Sequence, residues 1–439
     1  MSELSQPMRP LRTQRARPLR GTFAVPGDPT VAMRALLIAA MARGESRILN
    51  LPRHPVVAAM AAAIVSLGAR GEAAEGGVTI SGLGVGGLLE PNGALDLLAD
   101  DDLAALLLGA VGIYPFETRF AGSGRPVGAL LNALEALGIV IDWNGERRGP
   151  LALRGPRTPV PGPYPAGSDA ARTALLLATT SIPGITTITA RRAAHDHTER
   201  MLEAFGANIE WADDEEGVRT IRIEGLPDLG GRDLLLPGNP TGTAVGIVAG
   251  LVTQGAEIEV DGVLLNPART LVVDVLTEMG ADLAAVSHGR SGGEDVARIA
   301  VRQTALGGLH FDAERTAALA DELPMLLVAA SFARGDTVIK GLPEDSEGWI
   351  AEVTAGFTAN EVQWRKEGDT LIVHGQGRVT GGGTIAAPAD PRTALVFLMM
   401  GMATRDPITV MDHSGLEGRY PGVLNALTAL GASFREERP

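Results

Sequence analysis

The chain has 439 residues, 45% hydrophobic but only 4% aromatic, with 56 glycines, no cysteine and a formal net charge of −14. That length calls for two or more domains, each with a core built from Ala, Leu, Val and Ile. The missing cysteines exclude disulfides, thiol catalysis and cysteine-ligated zinc, and the negative charge argues against a nucleic-acid surface. Met1 to Arg20 reads as a basic arm leading into a first strand; it lacks the apolar segment of a secretory leader. No apolar run spans a bilayer, so a cytoplasmic protein without a membrane partner is expected.

Val25-Pro26-Gly27 reads as a strand end that turns sharply, with Asp28 as N-cap and Pro29 at the first helical position. The run Ala32 to Met41 is helical, Arg43-Gly44 is expected to end it, and Glu45 to Leu51 returns as a strand. Such a helix start is a natural anion site, which Arg34, one turn in, reinforces; a capped core helix is the plainer reading. A second helix is expected from Val56 to Ser66, within a first unit running from Gly21 to Gly82. The acidic triplet Asp100-Asp101-Asp102 precedes a helix from Leu103; it suits either Mg²⁺ or, better, the dipole of that helix. Arg125, in the bend Gly122-Ser123-Gly124-Arg125-Pro126, is a candidate anion contact before the helix Val127 to Leu137.

Ser168 and Asp169 cap a helix from Ala170 to Thr179, and His195-Asp196-His197-Thr198-Glu199 reads as a metal cluster or, better, as a capped helix start. Pro237-Gly238-Asn239-Pro240-Thr241 then restarts the opening text, with a helix from Ala244 and a strand from Ala256. Asn266-Pro267-Ala268-Arg269-Thr270 delivers another arginine to a helix start. Asp321-Glu322 beside Pro324, within an apolar run, is the best general-base candidate, with a structural cap as the competing reading. The last unit opens at Asp390-Pro391-Arg392. Turn, apolar helix, break and strand recur, and most second helices end in Leu-Gly, Phe-Gly or Met-Gly. Six units of roughly 70 residues fit a βαβαββ module.

VPGDPTVAMRALLIAAMARGESRILNL, GRPVGALLNALEALG, DHTERMLEAFGA, NPARTLVVDVLTEMGAD, SGGEDVA, DELPMLLVAASFARG and FLMMGMATRDPITVMD together resemble 5-enolpyruvylshikimate-3-phosphate (EPSP) synthases, nearest the class II bacterial type. The resemblance implies an α/β fold with two lobes of three βαβαββ units, each a pseudo-threefold inside-out barrel. One lobe would be 27–237 and the other 1–26 plus 238–439, with crossovers near Pro26 and Pro237. It also implies closure on shikimate 3-phosphate and phosphoenolpyruvate (PEP), with transfer of the carboxyvinyl group to the 5-hydroxyl, loss of phosphate and no cofactor. The expected partner is a small anionic or cyclic ligand of the shikimate 3-phosphate type, and the expected state a monomer.

Carried over by position, the family's site is eroded. Pro29 stands where the catalytic lysine is expected, while Thr30 and Arg34 persist. The PEP-contacting Asn-Ala-Gly-Thr stretch becomes Ala99-Asp100-Asp101-Asp102, and its arginine falls at Ala105. Arg125, Ser168 and Arg392 remain as anion-binding candidates, and Asp321 and Glu322 as the acid–base pair. The Lys-Glu-Ser-Asp-Arg motif is replaced by Glu344-Asp345-Ser346-Glu347-Gly348-Trp349, and Pro391 interrupts Asp-His-Arg. A surviving anion pocket is expected beside Ser168 and Arg125, with Arg34 reaching in. These changes imply a PEP-independent paralogue or a pseudoenzyme; a genuine carboxyvinyltransferase with replaced groups is the alternative.

Overall fold

Gly27 is where the chain must turn without a side chain: in the computed structural model, a Cβ there would lie 2.1 Å from the Asn50 carbonyl oxygen. The structure describes residues 9–122, 128–143, 151–191 and 195–437. After the turn, the buried Asp28 carboxylate accepts the Val31 N–H at 3.0 Å, and Pro29 opens the helix Pro29–Met41. Every residue from Val31 to Met41 is buried, Arg34 included. The far end differs from expectation. Ala42 is already extended and the strand Arg43–Leu49 follows at once, with Gly44 inside it at a φ of 88°. The last turn closes by an Ala42 N–H to Ala39 carbonyl bond, which makes a C′ glycine unnecessary.

Side-chain oxygens of Asp100, Ser168, Asn239 and Asp390 likewise cap the helices Asp101–Gly112, Asp169–Thr179, Pro240–Val252 and Pro391–Gly401. These helices and Leu323–Phe332 are buried along most of their length, so they are apolar on nearly every face. Small residues set their spacing. A Cβ on Gly109 would lie 2.6 Å from Ala174 Cα, so the helices Asp101–Gly112 and Asp169–Thr179 meet backbone to backbone there.

The described residues form six four-stranded sheets, each joining a parallel pair to an antiparallel one. This is the mixed α/β architecture expected of the repeats. One assignment changes: the strand Arg20–Ala24 pairs in parallel with Glu257–Leu264, setting buried Phe23 opposite buried Val260. It therefore does not begin the first unit. There the parallel edge is Leu234–Leu235, beside Ile48 and Leu49.

The chain divides into two compact units. One comprises Pro26–Pro237 with Arg290–Asp295, and the other takes the rest of the described chain. The hexapeptide Arg290–Asp295, expected with the C-terminal half, joins the first of these because Glu294 is fully buried against His197. No described helix is long and apolar enough to cross a membrane.

Candidate functional site

In the unit Pro26–Pro237, the helix starts are occupied by ion pairs. Arg34 is fully buried, and its Nη1 and Nη2 donate to the two Asp102 oxygens at 2.7 and 2.6 Å. Its Nε donates to the Thr198 hydroxyl at 2.8 Å, and Nη1 also reaches the Thr30 carbonyl at 2.9 Å. These are four donations, all within the chain, from a guanidinium with five N–H groups. Thr30 contributes its backbone to this contact. The acidic triplet divides its work: Asp100 caps, Asp101 lies in the first turn, and Asp102 neutralises Arg34.

Ser168 accepts the Ala171 N–H at 3.1 Å, so its hydroxyl oxygen serves the helix start. One turn in, Arg172 is fully buried, pairs with fully buried Glu199 and donates to the His195 carbonyl at 2.6 Å. His197 Nδ1 lies 2.8 Å from Glu294 Oε1, with the His195 ring stacked on it at 4.5 Å. Arg200 holds Asp196 at 2.7 Å. The His/Asp/Glu cluster thus separates onto different partners, and among the described residues no three such groups are placed to hold a metal. Arg125 lies outside the described residues.

Arg172 and Glu294 escaped the sequence reading. The signal for Arg172 was its i, i+3 spacing from Asp169, to which Nε lies at 3.8 Å. Glu294 sits 97 positions from His197, beyond any local pattern.

In the other unit, Asp321 and Glu322 are neighbours in sequence and opposites in environment. Asp321 is exposed, with Arg419 Nη2 at 3.4 Å. Glu322 is 7% exposed, its Oε1 accepting the Thr241 hydroxyl at 2.9 Å. Its side chain makes no cap hydrogen bond to the helix Leu323–Phe332. Burial pushes the Glu322 carboxyl up, and neighbouring Asp321 adds to this, against the Thr241 bond and the Arg269 charge. A buried carboxyl raised above its ordinary value, beside an exposed acid, suits proton transfer. Both line a small cavity of about 100 Å³ with Arg269 and Pro240.

Arg392, like Arg34, is engaged by a carboxylate of its own chain. Its Nε and Nη2 grip Asp390 at 2.7–3.1 Å, and the guanidinium lies 4.6 Å from the ring centre of buried Trp349. Burial raises the Asp390 carboxyl, but the hydrogen bonds and charge of Arg392 outweigh it and hold the group below its usual range.

An EPSP synthase (3-phosphoshikimate 1-carboxyvinyltransferase) family model matches residues 13–427. The chain belongs to the EPSP synthase family. A 3-phosphoshikimate 1-carboxyvinyltransferase of Chelativorans sp. (strain BNC1) is 38% identical over 442 residues, covering 98% of each chain. One of Brucella canis is 38% identical over 440 residues, again with 98% of each covered. The solved EPSP synthase of Acinetobacter baumannii superposes with a TM-score of 0.87 at 28% identity, covering 98% of this chain and 100% of that one. The enolpyruvyl transferase NikO of Streptomyces tendae shares the fold, with a TM-score of 0.73 at 20% identity over 99% of this chain and 100% of that one.

No lysine lies between Pro26 and Pro237. The chain has two, Lys340 and Lys366, both outside Pro26–Pro237. Lys366 donates to the Gly368 carbonyl at 2.8 Å.

The raised Glu322 carboxyl has a measurable consequence. Its folded pKa lies above the unfolded one of about 4.3, so its contribution to stability is fully present below that pH and is lost as pH rises through the folded value. Glu322→Gln is expected to flatten the dependence of melting temperature on pH and to melt above the parent at about pH 8. Parallel curves for the two proteins would show that Glu322 titrates as in the unfolded chain.

Proposed function

We propose that this member of the EPSP synthase family works without PEP. It binds, or acts on, a small cyclic ligand less anionic than shikimate 3-phosphate, with Glu322 as the proton-carrying group and Asp321 beside it. The observation that carries this reading is that Arg34 and Arg392 are each neutralised by a carboxylate of the chain itself. An incoming phosphate would have to displace Asp102 or Asp390, leaving a displaced acid close to a bound anion. The same arrangement serves a binding protein, and Glu322 favours chemistry over binding alone because burial raises its carboxyl above its ordinary value.

A second reading, carboxyvinyl transfer from PEP to shikimate 3-phosphate in aromatic amino acid biosynthesis, is favoured by the names of relatives matching nearly the whole chain. Isothermal titration separates the two. Shikimate 3-phosphate and PEP, added singly and together, are expected to give no saturable heat at millimolar concentration. Synergistic binding of the pair would establish the second reading.

A further inference from the structure

Two helix starts in the chain share one text, and each is met by an acid from another repeat. The first reads Pro26-Gly27-Asp28-Pro29-Thr30 and continues to Arg34, which binds Asp102 at 2.6–2.7 Å. The second reads Pro237-Gly238-Asn239-Pro240-Thr241 and has buried Val245 in the place of Arg34. The acid that reaches this second start, Glu322, meets the Thr241 hydroxyl at 2.9 Å, and no residue of the helix Pro240–Val252 carries a charge. We infer that Thr241 is a positioning residue: its hydroxyl holds the Glu322 carboxyl on the cavity that Glu322 lines with Asp321.

Neither side chain is needed by its own helix. Asn239 Oδ1 accepts the Gly242 N–H and the Asn239 carbonyl accepts the Thr243 hydroxyl at 3.0 Å, so this helix start is capped without Thr241. Glu322 precedes the helix Leu323–Phe332 but makes no side-chain cap bond to it. Its backbone is fixed on both sides: the N–H donates to the Leu319 carbonyl at 3.0 Å, and the carbonyl accepts the Met325 and Leu326 N–H groups at 3.0 and 3.1 Å. The side chain instead crosses 81 positions to Thr241. A cation there would favour the carboxylate. A hydroxyl both donates and accepts, so it keeps its bond whether or not the acid carries a proton. The charged groups acting on Glu322 come from elsewhere. Asp321, in its own turn, favours the protonated form, and Arg269, on the loop Asn266–Thr270, opposes it, as the Thr241 bond does. The inference rests on the proton-carrying role given to Glu322 above, and it names what fixes that group in place.

Carbon-13 NMR of the glutamate carboxyls in the full chain, with the Glu322 signal assigned from its loss in Glu322→Gln, follows the titration of this one group. Thr241→Val keeps the branched shape and removes the hydroxyl. It is expected to raise the proton affinity of Glu322 about tenfold, and its crystal structure to show the carboxyl turned from its parent place. Thr241→Ser is expected to restore both. Thr243→Val removes a hydroxyl from the same turn, one bonded to Asn239 rather than to Glu322, and is expected to leave the Glu322 titration unchanged. If Thr241→Val melts well below the parent, Thr241→Ala takes its place with the same expectation. A Glu322 titration unmoved by loss of the Thr241 hydroxyl, unrestored by Thr241→Ser, or moved as far by Thr243→Val would overturn the inference. Synergistic binding of PEP and shikimate 3-phosphate would instead overturn the PEP-independent function and leave the titration result standing.

Discussion

Purified protein supplied with PEP and shikimate 3-phosphate is expected to release no phosphate above background. The resemblance implies a lysine at the position of Pro29 and arginines at that of Ala105 and in the segment that reads Glu344 to Trp349. Each charge-assisted contact is worth about 1.5–3 kcal/mol, so three of them sum to about 5–9 kcal/mol, or about four to six powers of ten. Two of the arginines that persist offer little relief, because Arg34 and Arg392 are held by Asp102 and Asp390. Set against an ordinary turnover of about 10 s⁻¹, the loss puts the reaction below about 10⁻³ s⁻¹. A continuous phosphate assay reads this directly, and a rate within about a hundredfold of ordinary enzymes would defeat the PEP-independent reading.

What the sequence made legible was local. Asp28 with Pro29, and Asn239 with Pro240, announce helix starts because caps act within three residues. Their recurrence disclosed the repeated α/β fold. The far end of the first helix was misread, since Gly44 has the composition of a C′ residue but its positive φ serves a strand. Arg20–Ala24 was placed with the wrong sheet because pairing across more than two hundred residues leaves no mark on a strand's own pattern.

The candidate site divides along the same line. That Asp321 and Glu322 mattered could be read from two acids in an apolar run, but their contrast in burial and the approach of Arg269 could not. Asp102 was legible as a dipole-complementing acid at a helix start, which it is; that it also neutralises an arginine 68 positions earlier is a property of the packed helices.

Asp102→Ala is expected to destabilise the protein by about 3–5 kcal/mol, because it leaves the Arg34 guanidinium buried without its counter-charge. The loss is asymmetric. Desolvating both ions was costly from the start, so Arg34→Met combined with Asp102→Leu is expected to recover most of the deficit, and the double-mutant cycle to show strong coupling. Asp102→Asn keeps one acceptor oxygen and should fall between parent and Asp102→Ala. The exposed pair Arg43–Asp228, each side chain 71% exposed, serves as the control: it is screened by water and salt, and Asp228→Ala should cost little. Urea unfolding with intrinsic tryptophan fluorescence measures all of these. A loss for Asp102→Ala no larger than for Asp228→Ala would mean that water reaches Arg34, and its guanidinium would then be open to an external anion after all.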